Sequence, residues 1–236
     1  MKAHYGIDAP IVVRNLILFL LLALVLCAFS FLTSRIWFWC IFLGSLLSAV
    51  SILVSLCWML FSSLSMKPKI IQLLLSSLDL KGDEKLLDVG CGRGLVLIEA
   101  AKLLPHGRVC GVDLWTQDQS GNTLQATLNN ARAEHLDMRI DLQTADVRSL
   151  PYSDHSFDAV VSSLVIHNIP TQEGREQALR EMLRVLKPSG RFAIFDLHYG
   201  PHYIEFLSDK AHLSTQKTVL AYCPTGYLIM GQKAAK

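Results

Sequence analysis

No aspartate or glutamate occurs between Ala9 and Leu78, and only Arg14, Arg35, Lys67 and Lys69 carry charge there. A stretch so poor in charge cannot supply the surface of a soluble domain. The six cysteines contain no CxxC pair: Cys27, Cys40 and Cys57 fall in apolar runs, and Cys91, Cys110 and Cys223 are scattered. This spacing argues against a disulfide framework and against a metal site, and fits reduced thiols in a cytosol-facing protein. The net charge is only +2 and no Lys/Arg stripe is present, so nucleic acid is not expected as a partner. The Gly-Lys-Ser/Thr of a phosphate-binding loop is missing, and Leu95 stands where a GxGxxG dinucleotide fingerprint needs its third glycine.

What fills the acid-free stretch is hydrocarbon. Leu16 to Leu32 is a run of 17 apolar or small residues, extended upstream by Ile11 to Val13, and Ile36 to Phe61 is a second run of about 26. Each is long enough to cross roughly 30 Å of bilayer as a helix. A single span followed by an interfacial helix is the nearer alternative; a cleaved signal peptide fits less well, because the first run is too long and a second follows at once. Only Thr33-Ser34-Arg35 separates the runs, which predicts an antiparallel transmembrane hairpin with both chain ends on one side. Lys2, Arg14, Lys67 and Lys69 flank that side against Arg35 alone in the turn, so the positive-inside rule places both ends, and the domain that follows, in the cytosol. The expected organisation is a juxtamembrane segment over 1–10, two spans within 11–62 and a cytosolic domain over 63–236.

About 158 residues follow Leu78, enough for one domain with a proper core. Apolar runs at Lys85–Val89, Arg108–Asp113, Met138–Thr144, Phe157–Leu164 and Arg191–Asp196 read as strands. Helical patterns at Lys67–Leu78, Leu95–Leu104, Thr123–Leu136 and Thr171–Leu186 alternate with them, the last ended by Lys187-Pro188-Ser189-Gly190. Alternation of this kind implies a parallel sheet covered on both faces. The tail differs: Lys217–Tyr222 and Gly226–Gln232, separated by Cys223-Pro224-Thr225, suit a hairpin at the sheet edge.

The chemistry-bearing positions lie at strand ends. Gly90, Gly92 and Gly94 follow the first strand directly, where glycine lets the chain turn sharply and leaves no side chain between backbone and a ligand. Asp113 ends the second strand, beside that loop in such folds, where an acid can accept two hydrogen bonds from ribose hydroxyls; a plain turn acid is the alternative. Asp146, after the third strand, could accept from an adenine amino group or could cap a turn. His167, just past the fourth strand, is the best candidate for a general base, against a packed or capping histidine. His198, in the run His198-Tyr199-Gly200-Pro201-His202-Tyr203 after the fifth strand, belongs either to an acceptor pocket or to an ordinary loop.

Taken in order, LLDVGCGRG, VDLW, TADVRSLPY, FDAVVSSLVIHNI and LKPSGRFAIFDL resemble the successive motifs of class I S-adenosylmethionine-dependent methyltransferases, from about Leu86 to Asp196. Within that superfamily the chain is most similar to the small-molecule branch that includes the ubiquinone/menaquinone C-methyltransferases. The resemblance implies a Rossmann-like doubly wound α/β sheet, mostly parallel, with an antiparallel C-terminal strand and the order 3-2-1-4-5-7-6. It implies S-adenosylmethionine as cofactor, its amino-acid end held by Asp88 and by the backbone of Gly90, Cys91 and Gly92 in the loop that Gly94 closes. Asp113 would take the ribose, Leu114 would pack on the adenine, and Asp146 with the Val147 N–H would read its edge. Ser163 and Leu164 would border the methyl group, and Trp115 either covers the adenine face or is a surface aromatic. The Asn/Asp/Ser-Pro-Pro-aromatic motif of many N-methyltransferases is replaced by Ser162-Ser163-Leu164-Val165, which disfavours such substrates.

The expected activity is methyl transfer to a small, apolar or membrane-associated acceptor, with His167 and His198 as candidate catalytic residues. The short segment Leu197–Gln216 leaves little for a lid, so the segment from His4 to Pro10 is a candidate cover. The competing expectations are a membrane-tethered thiol or metalloid methyltransferase, a protein methyltransferase, and a non-catalytic cofactor-binding scaffold.

Overall fold

The structure, a computed structural model, describes residues 3–33, 35–115, 122–219 and 225–234; Lys2, Ser34, Tyr222, Cys223 and Pro224, invoked above, lie outside these. The chain forms two compact units, one of Ile7–Met66 and one that combines Met1–Gly6 with Lys67–Lys236. The chain therefore leaves the larger unit after Gly6 and returns to it at Lys67.

The smaller unit is a helical hairpin of α1 (Pro10–Ser30) and α2 (Arg35–Phe61). Pro10 sits at the first helical position, where its missing N–H costs nothing. Both helices are long and apolar enough to cross a membrane. Large side chains such as Leu18, Val25, Leu47 and Val54 are more than half exposed, whereas the small residues Ala23, Ser30, Ser45 and Ala49 are buried. Small residues let two backbones approach closely, the packing used by helices in hydrocarbon. The hydroxyls of Ser45, Ser48 and Ser55 donate to the carbonyls of Ile41, Gly44 and Ser51 at 2.7–2.9 Å. Each is thereby satisfied within its own helix, without water. A π-helical turn at Ser62–Met66 then leads into α3 (Lys67–Ser76).

The larger unit is built on a seven-stranded sheet of order β3-β2-β1-β4-β5-β7-β6, as the resemblance implied. Its strands are β1 (Lys85–Val89), β2 (Arg108–Asp113), β3 (Ile140–Thr144), β4 (Phe157–Ser163), β5 (Leu186–Leu197), β6 (Ala211–Val219) and β7 (Gly226–Lys233). The first five run parallel, while β7 is antiparallel to both β5 and β6. Side chains alternate across the sheet. Leu87 and Val89 of β1 join a core with Val160, Phe157, Phe192 and Ile229, packed on Ala178, Leu179 and Met182 of α6 (Gln172–Val185) and Tyr203 and Leu207 of α7 (Gly200–Ser208). Leu86 and Asp88 point the other way, towards α4 (Leu95–Leu103), whose Leu97 N–H meets Asp88. Helix α5 (Leu124–Ala133) starts from Thr123, whose hydroxyl accepts the Ala126 N–H at 3.0 Å, and Thr171 caps α6 by accepting from Gly174 N–H at 3.1 Å.

Four local expectations are corrected. The third strand begins at Ile140, because Asp137–Arg139 forms a 3₁₀ turn. Lys187–Gly190 does not lie outside the fifth strand: pairing steps from Phe157↔Leu186 to Ala159↔Arg191, so these residues bulge out of β5, with Ser189 at φ 59°. The sixth strand runs from Ala211, six residues earlier than the pattern suggested, because its polar edge residues lack apolar alternation. The segment after β5 is not a loop but α7, with Pro201 in its first turn. Its seat is tight: a Cβ on Gly200 would lie 2.0 Å from Cγ of Tyr227. Gly200→Ala should therefore lift α7 from β7 and destabilise the domain by about 1–3 kcal/mol in chemical denaturation, the usual cost of overpacking.

Candidate active site

The C-terminal ends of β1, β2, β4 and β5 meet at one rim. Three glycines take the chain from β1 to α4 with φ of 76° at Gly90, 50° at Gly92 and 84° at Gly94, the left-handed region that other residues avoid. The Gly90 and Cys91 N–H groups both donate to Val112 O, at 2.8 and 3.0 Å, which ties the loop to β2. Room is also lacking: a Cβ on Gly90 would lie 2.3 Å from Val165 Cγ2, and one on Gly94 2.8 Å from Thr127 Cγ2. The loop carbonyls face α5, where Thr127 Oγ1 donates to Gly92 O at 2.5 Å and Asn130 Nδ2 to Arg93 O at 2.9 Å.

Asp113 accepts the Gly92 N–H at 2.8 Å through one oxygen and the Trp115 N–H at 2.8 Å through the other. Each oxygen keeps a second lone pair. Trp115 is itself in the left-handed region, at φ 54°, with its indole N–H on Thr144 Oγ1 at 2.8 Å, so the ring spans the ends of β2 and β3. Leu114 is largely exposed beside it. Asp146 is held by the Arg148 guanidinium at 2.6–3.0 Å and by the Arg148 N–H at 2.8 Å, which lowers its pKa. The Val147 side chain belongs to the core, leaving only its main chain for a ligand.

Asp88 is 1% exposed and its Oδ2 is buried without a hydrogen-bond partner among the described residues. Burial, reinforced by the Asp113 charge and only partly offset by the Leu97 N–H, pushes its pKa up to about 8. The same burial, with Asp88 and Asp113 nearby, drives the Cys91 thiol pKa well upward.

Beyond β4 and β5 the backbone is strained at two non-glycine positions, Leu164 at φ 61° and His198 at φ 63°. Ser163 Oγ is buried and unpartnered. Asp196, 1% exposed, accepts from four donors: His167 Nδ1, the His167 N–H at 2.9 Å, the Leu197 N–H at 2.9 Å and Tyr203 Oη at 3.4 Å. These fill the acceptor capacity of a carboxylate and fix the His167 ring from one side. His198 lies 6.3 Å from His167, ring to ring, and Tyr199 follows at 6.2 Å from His198. The Arg175 guanidinium stacks 3.6 Å from the Tyr199 ring while Nη1 bonds Ile169 O and Pro170 O.

The structure thus gathers Gly90, Cys91, Gly92, Gly94, Asp88 and Asp113 around one loop and brings His167 and His198 together. Asp146, Val147 and Ser163 close neighbouring strands on the same rim. Sequence reading missed Asp196 and Arg175, and placed Tyr203 only in a run read as acceptor pocket or ordinary loop, not on Asp196. The only local signal for Asp196 is an acid closing an apolar strand; its partner stands 29 residues away.

The residues fit an adenosyl sulfonium with an amino-acid end. The buried, unpaired Asp88 oxygen suits a cationic donor, the glycines leave main chain bare, and Asp113 has lone pairs to spare. The Asp88 shift has a consequence for stability. With its folded pKa above the unfolded one, the folded state holds a proton that the unfolded state has lost, so stability is complete below about pH 4 and falls as pH rises to about 8. Denaturation curves across this range should therefore be flatter for Asp88→Asn than for the parent chain.

The family description "Methyltransferase domain" matches residues 87–194. Methyltransferase GfsG of Streptomyces halstedii is 38% identical over 120 residues, covering 51% of this chain and 40% of that protein. A demethylmenaquinone methyltransferase of Lactobacillus johnsonii is 34% identical over 120 residues, covering 50% and 46%. The chain thus spans less than half the length of these relatives. Among solved structures, the [4+2]-cyclase SpnF superposes with a TM-score of 0.61 at 20% identity, covering 74% of this chain and 84% of that one. A geranyl diphosphate methyltransferase in complex with S-adenosylmethionine gives 0.60 at 14% identity, covering 71% and 85%. At that identity the structures speak for the fold, a Rossmann-like sheet of the methyltransferase kind, while residues 87–194 match a methyltransferase domain.

Proposed function

We propose that this protein is a membrane-anchored enzyme that moves a methyl group from S-adenosylmethionine to a small apolar acceptor bearing an ionisable O–H, with His167 as general base. The observation that carries the reading is the His167–Asp196 pair, set two residues beyond the Val165 side chain that abuts Gly90. It puts a held imidazole next to the loop assigned to the cofactor. Asp88 and the Gly90–Gly92 backbone would hold the amino-acid end, Asp113 the ribose, and Asp146 with Val147 N–H the adenine. When bound, the cofactor supplies a methyl electrophile on sulfur and is left as a neutral thioether. The work of the chain is alignment, exclusion of water and removal of a proton.

With Nδ1–H directed at Asp196, the lone pair of His167 lies on Nε2. That atom takes the acceptor's proton as the O–H bond breaks. The electron pair released on the acceptor forms the new bond at oxygen, or at a conjugated carbon that then gives up its own proton. Asp196 balances the imidazolium that results. His198, Tyr199 and the Arg175 stacked on it form the wall around the acceptor. Substitution of His167 by Asn should lower kcat about 10²–10⁴-fold, the range typical for loss of a positioned base, while calorimetric cofactor affinity is retained. Equal turnover by the variant would remove His167 from the chemistry.

The cofactor assignment has its own test. A cationic group seated at Asp88 expels the proton that the buried carboxyl keeps near pH 7. Calorimetry in buffers of different ionisation enthalpy should register proton release of up to about one equivalent on cofactor binding. The release should vanish in Asp88→Asn.

The apolar acceptor is favoured by the hairpin. Two long helices with uncovered leucines and valines and internally satisfied serines suit a bilayer, and matched relatives are named for demethylmenaquinone. Departure from one unit at Gly6 and return at Lys67 agrees with two crossings, and the basic residues on that side favour the cytosol. An epitope inserted between Leu32 and Arg35 should be reachable only from the outer face of sealed cells. Incubation with methyl-labelled cofactor should label a product in membrane extracts; labelling confined to water-soluble thiols would favour the tethered thiol enzyme instead.

A further inference from the structure

Residues before the hairpin dock on the back of the glycine loop. The His4 N–H donates to Asn130 Oδ1 at 2.9 Å, and Asn130 Nδ2 returns to His4 O at 3.1 Å, so one side-chain amide imitates a strand partner. The same Nδ2 also donates to Arg93 O at 2.9 Å. Asn130 is 6% exposed, and its three bonds use both amide hydrogens and the carbonyl oxygen. Gly6, at φ 74°, seats against Arg93, whose Nη1 would be 3.3 Å from a Cβ at that position. Between them Tyr5 is partly buried near Glu134 of the turn after α5 and Glu99 and Lys102 of α4, its hydroxyl without a partner. Thr127 and Asn130, three apart on α5, thus hold the consecutive carbonyls of Gly92 and Arg93, and the second of these holders is shared with the N-terminal segment.

We propose that His4–Gly6 is a strap that fixes the Gly92–Arg93 turn through Asn130, making Asn130 a positioning residue for cofactor binding although it stands behind the loop. The role rests on the cofactor reading above. The mechanism is steric and local. The Gly92 N–H that meets Asp113 and the Arg93 carbonyl that meets Asn130 belong to neighbouring residues, so a strap seated on Asn130 and Arg93 limits how the turn can rotate. Displacing the strap strips a buried amide of two of its three bonds and frees the Arg93 side chain. The loop's order then depends on residues separated from it in sequence by the whole apolar hairpin.

Two variants of the full chain in lipid nanodiscs test this. Asn130→Asp keeps the shape and the acceptor for His4 N–H but removes both donated bonds. Gly6→Val leaves Asn130 intact and blocks the seat on Arg93. Binding of S-adenosylhomocysteine is measured by calorimetry, and amide hydrogen exchange is followed over residues 90–95. Both variants should bind about tenfold or more weakly and exchange faster at Gly92–Gly94, with exchange in β4 and β5 unchanged. Parent-like affinity and exchange in both variants would overturn the strap, even if their melting temperatures fall. If the parent chain binds no S-adenosylhomocysteine while exchange at Gly92–Gly94 still responds, the cofactor reading fails and the strap stands.

Discussion

The turn from β1 into α4 is the constraint on which the rest depends. Three backbones in the left-handed region, two N–H groups on Val112 O, and side chains pressed on Gly90 and Gly94 leave this loop one conformation. Parallel strands supply the reason that it matters. β1 lies between β2 and β4, so whatever ends β1 is flanked by the ends of both. Asp113 reaches back to Gly92 from one side, and Val165 leans on Gly90 from the other. A rigid main-chain surface clear of side chains is what a small polar ligand needs, because the ordering has been completed during folding.

Four acids stand around that surface, and the fold treats each differently. Asp113 is bonded by two main-chain N–H groups, Asp146 by an arginine two residues on, and Asp196 by a histidine, a tyrosine and two main-chain N–H groups. Asp88 alone keeps an oxygen unpaired. The pattern separates three acids bonded to the protein's own parts from one that keeps an oxygen unbonded among the described residues.

Much of this was legible in the sequence, for identifiable reasons. Central strands such as β1 and β4 are buried on both faces, so they appear as apolar runs whatever their neighbours are. The glycine loop is marked by residue type, because no other residue takes its φ values without strain. The edge strand β6 was misplaced because His212, Ser214, Thr215 and Gln216 interrupt any alternation. Helix α7 was missed for a related reason: an aromatic- and histidine-rich segment reads as a loop, and only Pro201 hinted at a helix start. His167 could be singled out from its place after β4, but not its bond to Asp196, since pairing across 29 residues is decided by the β4–β5 register. The N-terminal contact with Asn130 is more remote still and leaves no periodic trace.

Cys91 lies within the glycine loop itself, between two of the residues proposed to hold an alkylating cofactor. A thiolate there would be a competing nucleophile and would end the protein's working life by self-methylation. Burial beside Asp88 and Asp113 keeps the sulfur protonated and poorly nucleophilic. On the proposed reading of the loop, the acids that would receive the sulfonium also passivate Cys91, so a small side chain fills that space without becoming a suicide substrate.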